Sequence, residues 1–418
     1  MVYNVIIVGE VGSENLGDQI ISECLSWCLQ TYIVDVKVRR FDWSGREDWQ
    51  HLVKVAPREK SCNPARVRNS LKKINRACRA NSNFYRRMSG RILSLMKMPA
   101  CKRLYMTAFQ GADIVLVGGG QLLMDNDLSF PTRISASVSA ARKLGIPVVM
   151  HSVGVGKSWT SLGQKLVQSA LICDNVKAII VRDRVSKARI QSLFPHVNKP
   201  VLVGPDPALI ADRVYEREEV ERAGVGVGII AASAIVRHAK GHVLAGADAR
   251  KFWVTLCQDI LKRGKTIRIF CNGAPEDWQE ALAVFGEVSK NEQYQDKITL
   301  SDRPTTGLGL INILGACELV VAARLHASIV ATALGVPIVG ISWDDKVDSF
   351  YYERGISRYC VNNAKRSQDV VDVIFDAFDR KSVSVDNSAS VELEHFGDGM
   401  RLIEGVMHGR MVHLSSCN

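Results

Sequence analysis

Hydrophobic positions in this 418-residue chain fall into short unbroken runs more often than they alternate with polar ones. In the first half the runs cover 4–8, 114–117, 148–152, 178–181 and 201–203, most of them followed by a turn and then by helical spacing. A strand that is apolar on both faces must be covered on both, which is the arrangement of a parallel sheet with helices on each side. The pattern predicts a doubly wound α/β domain. A second series, 225–231, 266–270, 319–322 and 337–341, alternates with helical stretches such as 252–261 and 327–334 and predicts a second domain of the same architecture. Between the two lies 212–224, rich in charge (Arg213, Glu216, Arg217, Glu218) and poor in core-forming side chains, which reads as a linker. The expected division is an N-terminal domain over 1–212, a C-terminal domain over 224–385, and a terminal helix or tail over 386–418. Two doubly wound domains facing across a cleft would present the carboxyl ends of their strands to it, the usual ligand position in such sheets.

Composition then narrows the function classes. Residues 1–8 are too short for a signal-peptide core and lack a basic lead, so they read as a first buried strand. The longest apolar stretch, 319–341, is interrupted by Arg324, His326 and Gly335-Val336-Pro337, which suits a strand-helix-strand unit and not a membrane span. Eleven cysteines occur without CxxC spacing, and Cys24 and Cys28 have no His or Cys partner nearby; reduced thiols of a cytoplasmic protein are expected, with no metal site.

The formal net charge of +11 invites a nucleic-acid reading. Residues 54–103, however, hold 15 Lys and Arg against the single acid Glu59, and the remaining 39 basic and 42 acidic residues leave the rest of the chain at −3. With no zinc-finger spacing, no RNP-type aromatic motif and no basic region joined to heptads, nucleic acid is not expected as a partner. Inside that segment Phe84, Tyr85, Met88, Ile92, Leu95 and Met96 recur at spacings of three and four, with Arg86, Arg87, Arg91 and Lys97 between them. This is a basic amphipathic helix within an insertion near 54–103. Its apolar side either joins the core or meets an anionic membrane through 84–103, as at the inner face of a cytoplasmic membrane.

The candidate chemistry sits at strand ends. The first turn carries Gly9, Gly12 and Gly17 around Asn15-Leu16-Gly17-Asp18, which lets a ligand approach backbone and helix amino end, or places Asp18 as the N-cap of a helix starting near Gln19. Gly118-Gly119-Gly120 follows the run 114–117 and admits a bulky group or another backbone. Arg182, after the run 178–181, either meets a carboxylate or phosphate or forms a clasp with Asp183. Arg324 and His326 interrupt an otherwise apolar stretch, where large polar groups are costly unless paired or facing a ligand. A cation and a proton shuttle at one turn suit acid/base chemistry on an anion. Lys346, past the run 337–341, lies on the same edge or neutralises Asp344 or Asp345.

Taken in order, Asn15-Leu16-Gly17-Asp18, Gly118-Gly119-Gly120, Val181-Arg182-Asp183, Gly204-Pro205-Asp206-Pro207-Ala208, Arg324-Leu325-His326 and Lys346 with Phe350 resemble the polysaccharide pyruvyl transferase family over roughly 4–356. The turn His151-Ser152-Val153-Gly154 departs from the Gln-Gly more usual there, and the basic insertion has no counterpart in the pattern. The resemblance implies a GT-B-like pair of Rossmann-like domains, the second binding the donor. It implies a pyruvyltransferase of exopolysaccharide or polysaccharide biosynthesis, which moves the pyruvyl group of phosphoenolpyruvate onto a sugar as a cyclic ketal and releases phosphate. The partners so implied are phosphoenolpyruvate and a sugar or lipid-linked saccharide acceptor, with no cofactor. On this reading Arg182 and Arg324 clamp carboxylate and phosphate, Lys346 stabilises the departing phosphate, and His326 moves the proton. Asn15, Gly17, Asp18 and Gly118–Gly120 line the substrate. Two alternatives remain on the sequence: a nucleotide-sugar glycosyltransferase of the same architecture, with Arg324 and Lys346 on a diphosphate, and a non-catalytic anion-binding protein at the membrane surface.

Overall fold

The computed structural model describes residues 2–45, 83–235, 244, 248–362, 366–379 and 388–409; the basic stretch 54–82 and residues 410–418 lie outside them. The first series of elements runs β1 (Tyr3–Gly9), α1 (Leu16–Tyr32), β2 (Val36–Asp42), α2 (Asn83–Ala108), β3 (Ile114–Leu123), α3 (Ser129–Lys143), β4 (Val148–Val155), α4 (Ser161–Leu171), β5 (Val176–Val181), α5 (Arg184–Leu193) and β6 (Val201–Val203). The second runs β7 (Val225–Gly228), α6 (Ala249–Lys262), β8 (Ile267–Phe270), α7 (Pro275–Val288), β9 (Ile298–Leu300), α8 (Gly307–Gly315), β10 (Leu319–Ala322), α9 (Leu325–Ala333), β11 (Ile338–Ser342), α10 (Asp345–Glu353), β12 (Cys360–Asn362), α11 (Ser367–Asp379) and α12 (Ser388–Met407).

Both sheets are six-stranded and wholly parallel, and both are Rossmann-like. The first has the order β2-β1-β3-β4-β5-β6, with β1 and β3 in register at Val8 and Val117. The second, β12-β11-β10-β7-β8-β9, is the dinucleotide-fold order in which the chain reverses direction between its first and fourth strands, here β7 and β10. Loops leaving two such strands diverge to opposite faces and open a crevice at the carboxyl edge.

Every apolar run predicts a strand that is present, whereas β2, β9 and β12 are additional. These three lie at or next to the sheet margins, and β2 alternates partly exposed and exposed positions, so none presents the long unbroken run of a doubly covered strand. β3 also continues through Gly118–Gly120 to Leu123 instead of ending at Val117. Gly119 and Gly120 have φ of 85° and 83°, and the pairing with β4 shifts between Gly120 and Leu123. Glycine relieves the steric cost of that conformation.

The chain forms two compact units. Met1–Gly12, Asp35–Val203 and Leu402–Asn418 make the first, around the β1–β6 sheet; Ser13–Val34 and Gly204–Arg401 make the second, around the β7–β12 sheet. The first unit buries Trp43, Tyr105 and Phe109 with Val117, Met150 and Val181 in one core. In the second, α1 buries Leu16, Ile20, Leu25 and Leu29, and the Leu16 amide donates to the Asn272 carbonyl at 2.9 Å. Thus the helix following the first strand belongs to the second unit.

Candidate functional site

In the second unit the switch between β7 and β10 is bridged by one buried carboxylate. Asp277, in the first turn of α7, has no side-chain exposure; its Oδ1 accepts the Ala231 amide after β7 at 2.9 Å. Its Oδ2 accepts Arg324 Nε at 2.8 Å and lies 2.7 Å from Arg324 Nη2, at the end of β10. Burial pushes the Asp277 carboxyl above the ordinary carboxylate value, and the Arg324 charge opposes the shift. Two of the Arg324 nitrogens are thereby fixed, and the side chain keeps 18% exposure. The guanidinium is held in one orientation with Nη1 outside that pair, the condition for presenting donors to an anion.

Arg324 occupies the N-cap position of α9 without making a side-chain cap, and α9 begins at Leu325, so His326 lies in its first turn. The His326 side chain is 11% exposed, with Nε2 3.9 Å from Asp206 Oδ2. Asp206 is itself fixed: it caps the 3-10 turn Pro207–Ile210, and its Oδ1 accepts the Ala208 amide at 3.1 Å. The opposite edge of the ring is set by Gly17, where an added Cβ would stand 2.4 Å from both Cβ and Nδ1 of His326. The Asn15-Leu16-Gly17-Asp18 turn and His326 therefore form one site. Only glycine lets the α1 backbone come this close.

The start of α1 is held from the loop after β8. Besides the Leu16–Asn272 bond, Arg303 Nε donates to the Gly273 carbonyl at 2.7 Å, and its Nη2 lies 3.8 Å from Glu14. Asn15 occupies the N-cap position and donates through Nδ2 to Asp18 at 3.0 Å. The helix thus starts at Leu16 with Asp18 in its first turn, which corrects the expectation of Asp18 as its cap. A polar side chain within an Asn-x-x-Asp turn gives either boundary from spacing alone.

Lys346 is on the same edge. The Trp343 indole donates to the Ala323 carbonyl at 2.8 Å, fastening the end of β11 beside the Arg324 turn. The Lys346 ammonium lies 4.8 Å from the Trp343 ring centroid and 3.9 Å from Asp344, whose other oxygen caps α10. Asn15, Gly17, Asp18, Arg324, His326 and Lys346 thus belong to the second unit. Asp206 and Asp277 complete this arrangement. Neither was assigned a role by motif, since a capping Asp in a Gly-Pro-Asp-Pro turn and an acid in a helix's first turn are common signals with structural uses.

Arg182 and Gly118–Gly120 belong to the first unit. Arg182 Nε is 3.3 Å from Asp183, which also caps α5 by accepting the Ser186 amide, so the clasp is formed. The guanidinium packs on Gly154, where a Cβ would approach its Cζ to 2.9 Å. Gly118 is required by close strands: a Cβ there would meet the His151 carbonyl oxygen at 2.3 Å. Asp125, beyond the glycines, is occupied by the Thr160 amide at 2.7 Å and the Leu128 amide at 2.9 Å.

Comparison with solved structures returns the same architecture. The chain aligns with the S. aureus MnaA–UDP structure at a TM-score of 0.59 and 10% identity, covering 98% of this chain and 97% of that one. It aligns with the UDP-GlcNAc 2-epimerase of Methanocaldococcus jannaschii, in complex with UDP-GlcNAc and UDP, at 0.56 and 13%, covering 97% and 100%. A glycosyltransferase from Rickettsia africae gives 0.51 and 10%, covering 98% of each. At these identities the likeness is one of fold. No curated protein sequence matches the chain. The sequence model of the polysaccharide pyruvyl transferases matches residues 15–345, from the turn that abuts His326 to the helix that carries Lys346. The chain belongs to the polysaccharide pyruvyl transferase family, enzymes that transfer a pyruvyl group onto polysaccharide.

Proposed function

We propose that the protein transfers the pyruvyl group of phosphoenolpyruvate to two hydroxyls of a saccharide as a cyclic ketal, with release of phosphate. The observation that carries this reading is the Arg324–His326 turn at the β7/β10 switch, where a pinned guanidinium and a buried imidazole share one strand end. The donor bears a carboxylate and a phosphate, and Arg324 and Lys346 supply cations for them. Protonation of the donor's methylene carbon creates a cationic carbon, to which the first hydroxyl adds. Loss of phosphate restores the cation and the second hydroxyl closes the ketal. Of the two hydroxyl protons released, one balances the proton consumed at the methylene carbon and the other leaves with phosphate. His326 is the proton carrier in this scheme, and Asp206, facing its Nε2, is the positioning residue that orients the ring. Asn15 and Asp18, in the turn whose Gly17 abuts His326, belong with the acceptor. The reaction takes place without a cofactor.

The test is acceptor-dependent release of phosphate from phosphoenolpyruvate with a panel of saccharides. His326→Ala should lose at least 100-fold in kcat, since positioned acid-base groups contribute roughly 10²–10⁴-fold. Unchanged turnover in that variant removes His326 from the mechanism. Binding of a labelled nucleotide sugar without turnover of phosphoenolpyruvate would replace the reading with glycosyl transfer.

A further inference from the structure

One long helix of the first unit is apolar on both sides. Along α2, Tyr105 and Phe109 just beyond its end are fully buried, Met98 packs against the same core, and Ser94 donates to the Asp127 carbonyl at 3.1 Å. The other side faces outward, and there Met88, Ile92 and Met96 are 50%, 55% and 70% exposed. At 100° per residue these three and exposed Arg103 fall within one arc of about 80°, roughly opposite Ser94, Met98 and Tyr105. A surface helix normally turns its polar residues outward. Here the outward row is apolar, three exposed side chains in succession, with exposed Arg103 in the same arc and exposed Lys97 about 100° further round the helix from Met96.

The charge says what covers this face. Residues 83–108 contain Arg86, Arg87, Arg91, Lys97, Lys102 and Arg103 and no Asp or Glu. The stretch 54–79, which leads into the helix, carries nine basic residues and one acid, so laying it on this face would set like charge on like. A second copy of the helix meets the same repulsion. No helix among the described residues is long and apolar enough to cross a membrane, and α2, with apolar and basic side chains on one outward face, has the composition of a helix lying in a bilayer interface. We infer that the outward face of α2, centred on Ile92 and Met96 with Arg103 in the same row and Lys97 exposed beside it, docks the protein on an anionic lipid surface. This stands apart from the pyruvyl-transfer reading, because it rests on a helix that contributes nothing to the Arg324–His326 site.

The experiment is vesicle flotation of the full chain, with phosphatidylcholine vesicles compared to vesicles containing 30% phosphatidylglycerol. Each basic residue near an anionic surface strengthens partitioning about fivefold, and the effect is screened by salt. Flotation should therefore require phosphatidylglycerol and fall steeply at high salt. Lys97→Glu with Arg103→Glu should reduce it at least 25-fold, and Ile92→Gln with Met96→Gln should abolish it at any salt. All four positions are exposed, and both variants should keep wild-type melting and turnover of phosphoenolpyruvate with a water-soluble acceptor. Flotation that is absent, indifferent to phosphatidylglycerol or unchanged in the variants overturns the inference. So does a dimer in sedimentation that Ile92→Gln with Met96→Gln dissociates, which would assign the face to a second copy. Loss of turnover with flotation intact would instead count against the reaction.

Discussion

Gly17→Ala is the sharpest perturbation of the site, because it adds one methyl group and no charge. An alanine Cβ at this position would lie 2.4 Å from His326 Cβ and Nδ1 and 2.5 Å from Cγ. Carbon contacts settle near 3.5–4 Å, so helix and imidazole must separate by about 1 Å. Overpacking of this kind costs about 1–3 kcal/mol. Alanine is favoured over glycine inside a helix by about 1 kcal/mol, which offsets part of that cost and leaves a net loss of roughly 0–2 kcal/mol. Rate is more exposed than stability: a reacting group misplaced by about 1 Å can cost about 100-fold. The variant should therefore melt within a few degrees of the wild type while losing about two orders of magnitude in acceptor-dependent phosphate release. Gly286→Ala is the control, a glycine on α7 with nothing within 4 Å of the added carbon, and it should be neutral or slightly stabilising. A folded Gly17→Ala protein with turnover within twofold of wild type would refute both the fit of α1 against His326 and the role given to the imidazole.

Two further outcomes follow from buried charge. Arg324→Ala strands Asp277, which has no exposure, and should destabilise by about 3–5 kcal/mol in chemical denaturation, whereas adding Asp277→Asn should recover part of that loss; strict additivity would deny the pair. His151 is buried beside Ser152, at 3.0 Å, and burial lowers its pKa to about 4 from an ordinary 6.5. The unfolded chain therefore takes up a proton near pH 6.5 that the folded chain refuses until about pH 4. Stability from this group is complete above pH 6.5 and is lost as pH falls through that window, by up to roughly 3 kcal/mol at 1.36 kcal/mol per pKa unit. Melting curves of His151→Asn should show a shallower acid dependence between pH 6.5 and 4 than wild type, and parallel curves would contradict the buried neutral imidazole.

Much of the fold was legible because its signal is local. Runs such as 114–117 and 319–322 are apolar on both faces, and a strand of that kind has few places other than the middle of a parallel sheet. β2 and β12 were not legible for the complementary reason: a strand at a sheet margin need not be apolar on both faces. Arg324 and His326 were legible because polar groups of that size inside an apolar stretch demand a partner or a ligand. Their partners were not. Asp277 lies 47 residues from Arg324, and Asp206 lies 120 from His326, and each looks in sequence like an ordinary helix-start acid.

The sequence by itself determined that the chain makes two parallel sheets, that its net positive charge comes from one segment, and that a cation and an imidazole share a strand end. Only the tertiary structure decided which sheet each helix serves. The apolar stripe of α1 specifies that the helix is covered on one side but not by which surface, and its first-turn glycine acquires meaning only when the His326 ring is found against it. Likewise only the folded chain shows the Arg182 Nε 3.3 Å from Asp183, a clasp the sequence left open. Periodicity constrains each element's own faces; pairing between elements far apart in the chain is settled by packing, where the room for a single methyl group decides which residue fits.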